Sequence, residues 1–595
     1  MAFLVSPGVN TSEIDLTASV PGVGTTTGGT VGFFKWGPAN TVIQVSSESD
    51  LLARFTKPDG NAALSFLSAA NFLTYGNDLR IVRVVNETAG ASASNNAVAR
   101  ANALATTTAA DAKVIANEDD YFADEYNTTD ATLAWAARYP GVLGNSLRVS
   151  VCSNPDAFST WVYAPLFDRA PNTSAYALGA TNNTYLKDEL HVVVVDEDGV
   201  ITGTANTVLE RFPNLSKATD AKGDDGSSIY YKESIYRNSQ WIHWLGHPTV
   251  GSNAANGWGQ TIAAVNAAAV TFHGESNANN HWSLVGGNDG TITQGQIEAA
   301  VDQFNNTELV DVSLLFVGDS GIAAANLTSN NAAITSISQK YLTVATARKD
   351  TVAFVSPPYA NSVTSTTKST AVINFRNGLT STSYGVMDSG WKYQYDKYND
   401  VYRWVPLNPD IAGLCVRTDT QRDPWFSPAG IDRGQIRNLV KLSFNPTQAE
   451  RDSLYKAGVN PVVSFPGEGT LLFGDKTLQG RPSAFDRINV RRLFIVLEKA
   501  ISRAARSSLF EINDEFTRAQ FVALVEPFLR DVQGRRGIYD FRVVCDETNN
   551  TSGVVDRNEF IGDIYIKPAR SVNFIQLNFV AVRSGVSFDE IVGRF

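Results

Sequence analysis

The sequence predicts a multidomain α/β (α+β) protein, with a layered α/β core split by a mainly β insertion and extended strands at both ends. Three observations carry this. Strand-like and helix-like stretches alternate on either side of residues 89–283, the rhythm of sheets layered with helices. Inside 89–283 that rhythm gives way to short β-like runs separated by Asn, Gly, Ser and Asp. The chain's 595 residues also exceed what one hydrophobic core serves, so three or four domains are expected. The expected divisions are an arm at 1–20, a first core part at 21–88, the insertion at 89–283 (two subdomains), a second core part at 284–490, and a C-terminal domain at 491–595 with its own arm.

Taken in order, MAFLVSPGVNTSEIDLTASV is strand-like and is followed by PGVGTTTGG. Gly22, Gly24, Gly28 and Gly29 resist rigid packing, so this run is expected to act as a hinge. A strand that packed on its own domain would need no such tether. TVGFFKW is a short β run, Ser47 with Asp50 gives a helix cap ahead of LLARF, and NAALSFLSAANFLTYG is a helix with Gly76 as its C-cap. DLRIVRVV reads as a buried strand. After Glu87 comes a small-residue stretch, then runs such as LHVVVVDEDGV with EDG as a turn. The α/β rhythm returns with ELVDVSLLFVG (strand), SISQKYLTVATARKD (helix) and DTVAFVSPP (strand).

Two amphipathic helices follow. Leu493, Val496, Leu497, Ala500, Ile501 and Ala504 share one face of the first, and Phe521, Leu524, Val525, Phe528 and Val532 one face of the second. YDFRVVCDE is a strand. In the closing strand SVNFIQLNFVAVRSG, Ile575, Leu577, Phe579 and Ala581 face one way, and Val572, Phe574, Val580 and Val582 the other. A strand apolar on both faces must be covered on both, which points to a partner.

Charge and composition exclude several classes. Charged residues make up 18% and hydrophobic ones 43%, so much surface is expected to be covered by something else. A net charge of −11 argues against a nucleic-acid surface. Residues 89–283 hold 11 Lys/Arg against 20 Asp/Glu and the remainder 38 against 40, so the insertion carries most of the acidity, like a solvated exterior. No stretch approaches a membrane span, and no secretory signal is visible. Cys152, Cys415 and Cys545 lie far apart with no CxxC pair, as suits a reducing compartment.

No stretch presents a convincing catalytic constellation. GDSG at 318–321 would make Ser320 the nucleophile of an α/β serine hydrolase, but turn chemistry at a strand end accounts for the match. In HWLGH, His243 and His247 stand four apart. The glutamate of HExxH is missing, Gly246 and Pro248 oppose a helix, and both read as structural histidines. The P-loop and GxGxxG patterns are absent, and NDG and DDG lack the ligands of a calcium loop. No cofactor or metal is expected.

From residue 284 onward the chain resembles the contractile tail sheath family of myoviruses, R-type bacteriocins and type VI secretion systems. VGGNDG, VDVSLLFVG, DTVAFVSPP, VPLNPDIAGLCVRTDTQRDPWFSPAG and GVNPVVSFPGEGTLLFGDKTL carry the likeness, with NVRRLFIVLEKAI, FEINDEF and DFRVVCDETNN. Residues 1–86 resemble the family's N-terminal part. PLNP and RDPW depart from the family's usual proline–serine pair and RG-x-W. The resemblance implies a structural subunit that polymerises helically around a tail tube and contracts to drive it through the host envelope for genome ejection. It implies strands donated to neighbouring subunits, through Val9, Thr11, Ile14 and Leu16 at one end and Val572, Phe574, Ile575, Leu577 and Phe579 at the other. It further implies tube, baseplate and tail-terminator proteins as partners, no direct nucleic-acid contact, no membrane insertion, assembly in the host cytoplasm and a place in the virion. A bacterial injection-system sheath is the alternative, and the Ser320 hydrolase a remote one.

Overall fold

The computed structural model describes residues 24–88, 93–100, 113–130, 132–153, 155–179, 187–247, 258–262, 282–319, 331–573 and 576. Within it, GGTVG forms the strand Gly28–Gly32 at the middle of a six-stranded sheet. The order is Gly385–Met387, Val352–Val355, Leu314–Phe316, Gly28–Gly32, Leu79–Arg83, Val42–Val45. The first five are parallel and Val42–Val45 is antiparallel at the edge. Parallel strands are buried on both faces, and the residues show it. Leu314, Phe316, Val352 and Phe354 enter one apolar core with Phe72, Leu414 and Cys415. Their neighbours Leu315, Ala353 and Val355 enter another with Ile297, Val301, Ile337 and Tyr341.

The helix Glu48–Phe55 starts as expected, with the Ser47 side chain accepting from the Asp50 N–H. Ala63–Leu73 ends on Thr74, not Gly76. Gly76 packs against the helix Asn408–Gln421, where a Cβ would lie 2.9 Å from Val416 Cγ1.

The insertion leaves and re-enters the core through paired backbone, with antiparallel bridges Asn95–Asn288 and Val98–Val285. It holds a three-stranded sheet (Val98–Arg100, Leu133–Ala137, Ile242–Trp244) and a four-stranded antiparallel one. In the latter, Glu189–Asp196 is buried along its whole length. Arg83, fully buried, stitches insertion to core by donating to the carbonyls of Phe34, Gly37 and Pro140 at 2.6–2.8 Å. Desolvation pushes its pKa down to about 10.

Contacts divide the chain into two units, residues 22–424 with 428–500, and residues 1–21 with 425–427 and 501–595. The division falls at Ala500/Ile501, inside the helix Ile488–Ala505, and later than the 490/491 boundary read from the sequence. In the smaller unit the helix Glu515–Gly534 is capped by Asp514, whose side chain accepts from the Thr517 N–H. Phe521, Val525, Leu529 and Val532 form its buried face, so Leu529 takes the place expected of Phe528. Trp425 joins this unit by donating its indole N–H to the Arg535 carbonyl at 3.0 Å.

Candidate assembly surfaces

The smaller unit carries an unfinished sheet. Ile538–Val544 pairs antiparallel with Asp563–Pro568 in a two-stranded ribbon, and among the described residues neither strand has a second neighbour. Two strands alone are marginally stable, and open edges are templates for further pairing. Gln533 and Asn549 side chains donate to the Tyr539 and Val544 carbonyls, which restricts where a third strand can bond. Tyr539 and Tyr565 on the ribbon are 67% and 60% exposed. Leu509, Phe510, Ile512 and Phe516, just before and within the start of the helix Glu515–Gly534, are also exposed. Apolar groups so concentrated in one small unit mark an interaction surface. Sequence reading did not single these residues out. Phe510, Ile512 and Phe516 stand in FEINDEF, which reads from the sequence only as part of the family likeness.

Of the expected strand-exchange residues, Val572 is described and is 78% exposed. Val9, Thr11, Ile14, Leu16, Phe574, Ile575, Leu577 and Phe579 lie outside the described residues, as does Gly22. The hinge expectation needs correction at two of its four glycines. Gly28 and Gly29 are buried in the central strand, where a Cβ would lie 2.4 Å from Phe72 Cζ or 2.7 Å from Leu315 Cδ2. They are glycine because neighbouring side chains leave no room. Gly24 has no atom within 4 Å of a notional Cβ.

The catalytic candidates assemble into nothing reactive among the described residues. Ser320 lies outside them; Asp319 beside it is buried and accepts from the Ser65 hydroxyl at 2.9 Å. His243 sits in a strand rather than a helix and stacks on Tyr121 at 3.8 Å, with burial pushing its pKa down. His247 pairs with the Tyr231 hydroxyl at 2.6 Å, and burial pushes it down to about 4. No group of three His, Cys, Asp or Glu among the described residues is placed to hold a metal ion. Cys152, Cys415 and Cys545 are all buried.

An α/β body with an unfinished ribbon and an exposed apolar rim defines a structural assembly subunit. Comparisons narrow this. Residues 290–478 match the phage tail sheath protein central domain, 481–581 the phage tail sheath C-terminal domain, and 25–84 the N-terminal region of domain III of tail sheath protein Gp18. The tail sheath protein of Vibrio phage KVP40 is 35% identical, across 99% of this chain and 100% of its own. That of Enterobacteria phage T4 is 33% identical, across 99% of each. The crystal structure of the sheath tail protein from Desulfitobacterium hafniense covers 95% of this chain and 100% of its own at 11% identity with a TM-score of 0.50, a likeness of fold. The chain belongs to the phage tail sheath family.

Proposed function

We propose that this subunit polymerises helically around a tail tube and contracts without nucleotide, its N- and C-terminal strands completing the ribbon Ile538–Val544/Asp563–Pro568 in neighbouring copies. The observation that carries the reading is that ribbon, two strands wide with apolar groups left exposed. β-Augmentation supplies main-chain hydrogen bonds that tolerate side-chain variation. Each is worth about 0.5–1.5 kcal/mol net, so a six-residue strand contributes on the order of several kcal/mol. Apolar side chains such as Ile575 and Leu577, once covered by a neighbouring copy, would add about 1.5–3 kcal/mol each. Links of that size hold while weaker contacts between bodies break and re-form. Head-to-tail contacts that do not close generate a filament. Tube, baseplate and terminator proteins are the further partners, assembly takes place in the host cytoplasm, and the role is structural, not catalytic.

Removing residues 1–18, or placing Pro at Phe574 and Leu577, is expected to leave a folded, soluble monomer by size exclusion and circular dichroism, with no cylinders by electron microscopy. Wild-type-like tubes from either variant would refute strand exchange.

A further inference from the structure

We propose that Thr25, Asp419 and Arg492 form a buckle that fastens the root of the N-terminal arm to the helix Ile488–Ala505, so that pull arriving through the arm is delivered to that helix. The proposal rests on the strand-exchange reading above and names the residues that position the arm for it.

Asp419 stands near the end of the helix Asn408–Gln421, and Arg492 in the first turns of Ile488–Ala505. Their side chains are 5% and 4% exposed, and the guanidinium donates to both carboxylate oxygens at 2.6 and 2.7 Å. This two-pronged geometry fixes direction as well as distance. The Thr25 hydroxyl donates to the same carboxylate at 2.6 Å, and Arg492 reaches the Thr25 carbonyl at 3.5 Å. On either side the backbone is stitched down again. The Gly24 carbonyl accepts from the Ser313 hydroxyl at 3.1 Å, and the Thr27 hydroxyl donates to Asp78 at 2.8 Å. A cavity of only about 10 Å³ remains among Gly24, Thr25, Ser313, Val496 and Lys499.

A surface anchor would need no buried charge pair. Removing a Lys/Arg–carboxylate pair from water is costly, and the arrangement holds only while each partner stays satisfied. Here three separate segments share one carboxylate, so lifting the arm root strips a donor from a buried anion. Ala500, the last residue of the larger unit, lies two turns further along the same helix, and the chain then runs on toward its second arm. The first expected intersubunit link is therefore rooted on that helix.

The test uses Thr25→Val, which keeps the side chain's shape and removes its hydroxyl, with Thr25→Ser as the rescue. Hydrogen exchange of the full-length soluble chain is expected to quicken about tenfold or more at residues 25–28 in Thr25→Val and to stay at the wild-type rate in Thr25→Ser. Extended sheaths assembled on tails from Thr25→Val are expected to contract at a lower temperature than wild type, and those from Thr25→Ser at the same temperature. Unchanged exchange at residues 25–28, or an unchanged contraction temperature, overturns the buckle. Deletion of residues 1–18 separates the two ideas. If that deletion still polymerises, strand exchange has failed; if it does not while Thr25→Val behaves as wild type, the buckle alone has failed.

Discussion

Gly28 lacks a side chain because Phe72 occupies the place one would take, with its ring atoms 2.4–3.0 Å from a Cβ built there. Phe72 is wholly buried and stacks on Phe316, so it has nowhere to retreat. Overpacking of this kind costs about 1–3 kcal/mol, whereas Gly→Ala where a Cβ meets no neighbour, as at Gly24, is neutral or stabilising. Gly28→Ala is therefore expected to lower the thermal midpoint of the assembly-blocked chain, while Gly24→Ala leaves it unmoved. Equal midpoints for the two would restore the hinge reading. A second residue sets a pH dependence. Asp388 is fully buried, accepts from the Gly390 N–H at 2.9 Å and from the Ser356 hydroxyl at 2.6 Å. Burial, with Asp410 adding to it, pushes its carboxyl from 3.8 up to about 8. An acid whose folded value exceeds its unfolded value holds its proton more tightly when folded. Its contribution is whole below about pH 4 and is lost as pH rises to about 8, on the order of several kcal/mol across that window. Asp388→Asn is expected to raise the melting temperature at pH 8 more than at pH 5. A parallel shift at both values would mean the carboxyl is not the titrating group.

At the scale of the element, the ribbon Ile538–Val544/Asp563–Pro568 pairs Arg542 with Tyr565 and Phe541 with Ile566. Phe541 and Ile566 are half-buried, while Tyr539 and Tyr565 stay exposed. Tyr565→Asp removes an exposed apolar group without opening a core. It is expected to leave the monomer's circular dichroism and melting unchanged while raising the concentration needed for polymerisation about tenfold or more, read by sedimentation. Polymerisation at the wild-type concentration would show that this face stays uncovered in the sheath. Elements whose partners lie close in sequence were legible beforehand. The Ser47 cap, the stretch DLRIVRVV and the face Phe521–Val525–Val532 all follow from local spacing. What failed was decided at a distance. The meaning of Gly28 depends on Phe72, that of Gly76 on Val416, and Trp425 joins the smaller unit through the Arg535 carbonyl. No local pattern encodes those pairings.

For the whole molecule, the insertion behaves as a graft whose two ends already meet. Val98 and Val285 are bridged antiparallel, so an Asn-Gly turn placed between them would close a hairpin in place of residues 99–284. Several contacts would be lost with the graft, among them the Ala39 N–H to Ala116 carbonyl bond, the Val142 N–H to Asp289 bond and the Ile115 and Ala137 partners of buried Asn96. Trp36 packs against Tyr139 and Trp241, with ring centroids 5.4 and 5.1 Å away, and Arg83 donates to the Pro140 carbonyl. Arg83 keeps the Phe34 and Gly37 carbonyls, so its charge stays satisfied, and Trp36→Gln spares the new surface an exposed indole. The sheet order and both apolar cores flanking it draw almost entirely on residues outside the excised stretch. The shortened chain is therefore expected to fold and to polymerise. Excision also takes the net charge from −11 to −2, since residues 99–284 hold 20 acidic and 11 basic residues. Like charges on adjacent copies oppose assembly most when salt is low. Polymerisation of the shortened chain should thus begin at a lower protein concentration than wild type in low salt, with the gap closing as salt rises. Light scattering across a salt series checks this. A folded but non-polymerising product would place essential assembly contacts in the insertion and end its reading as a solvated exterior.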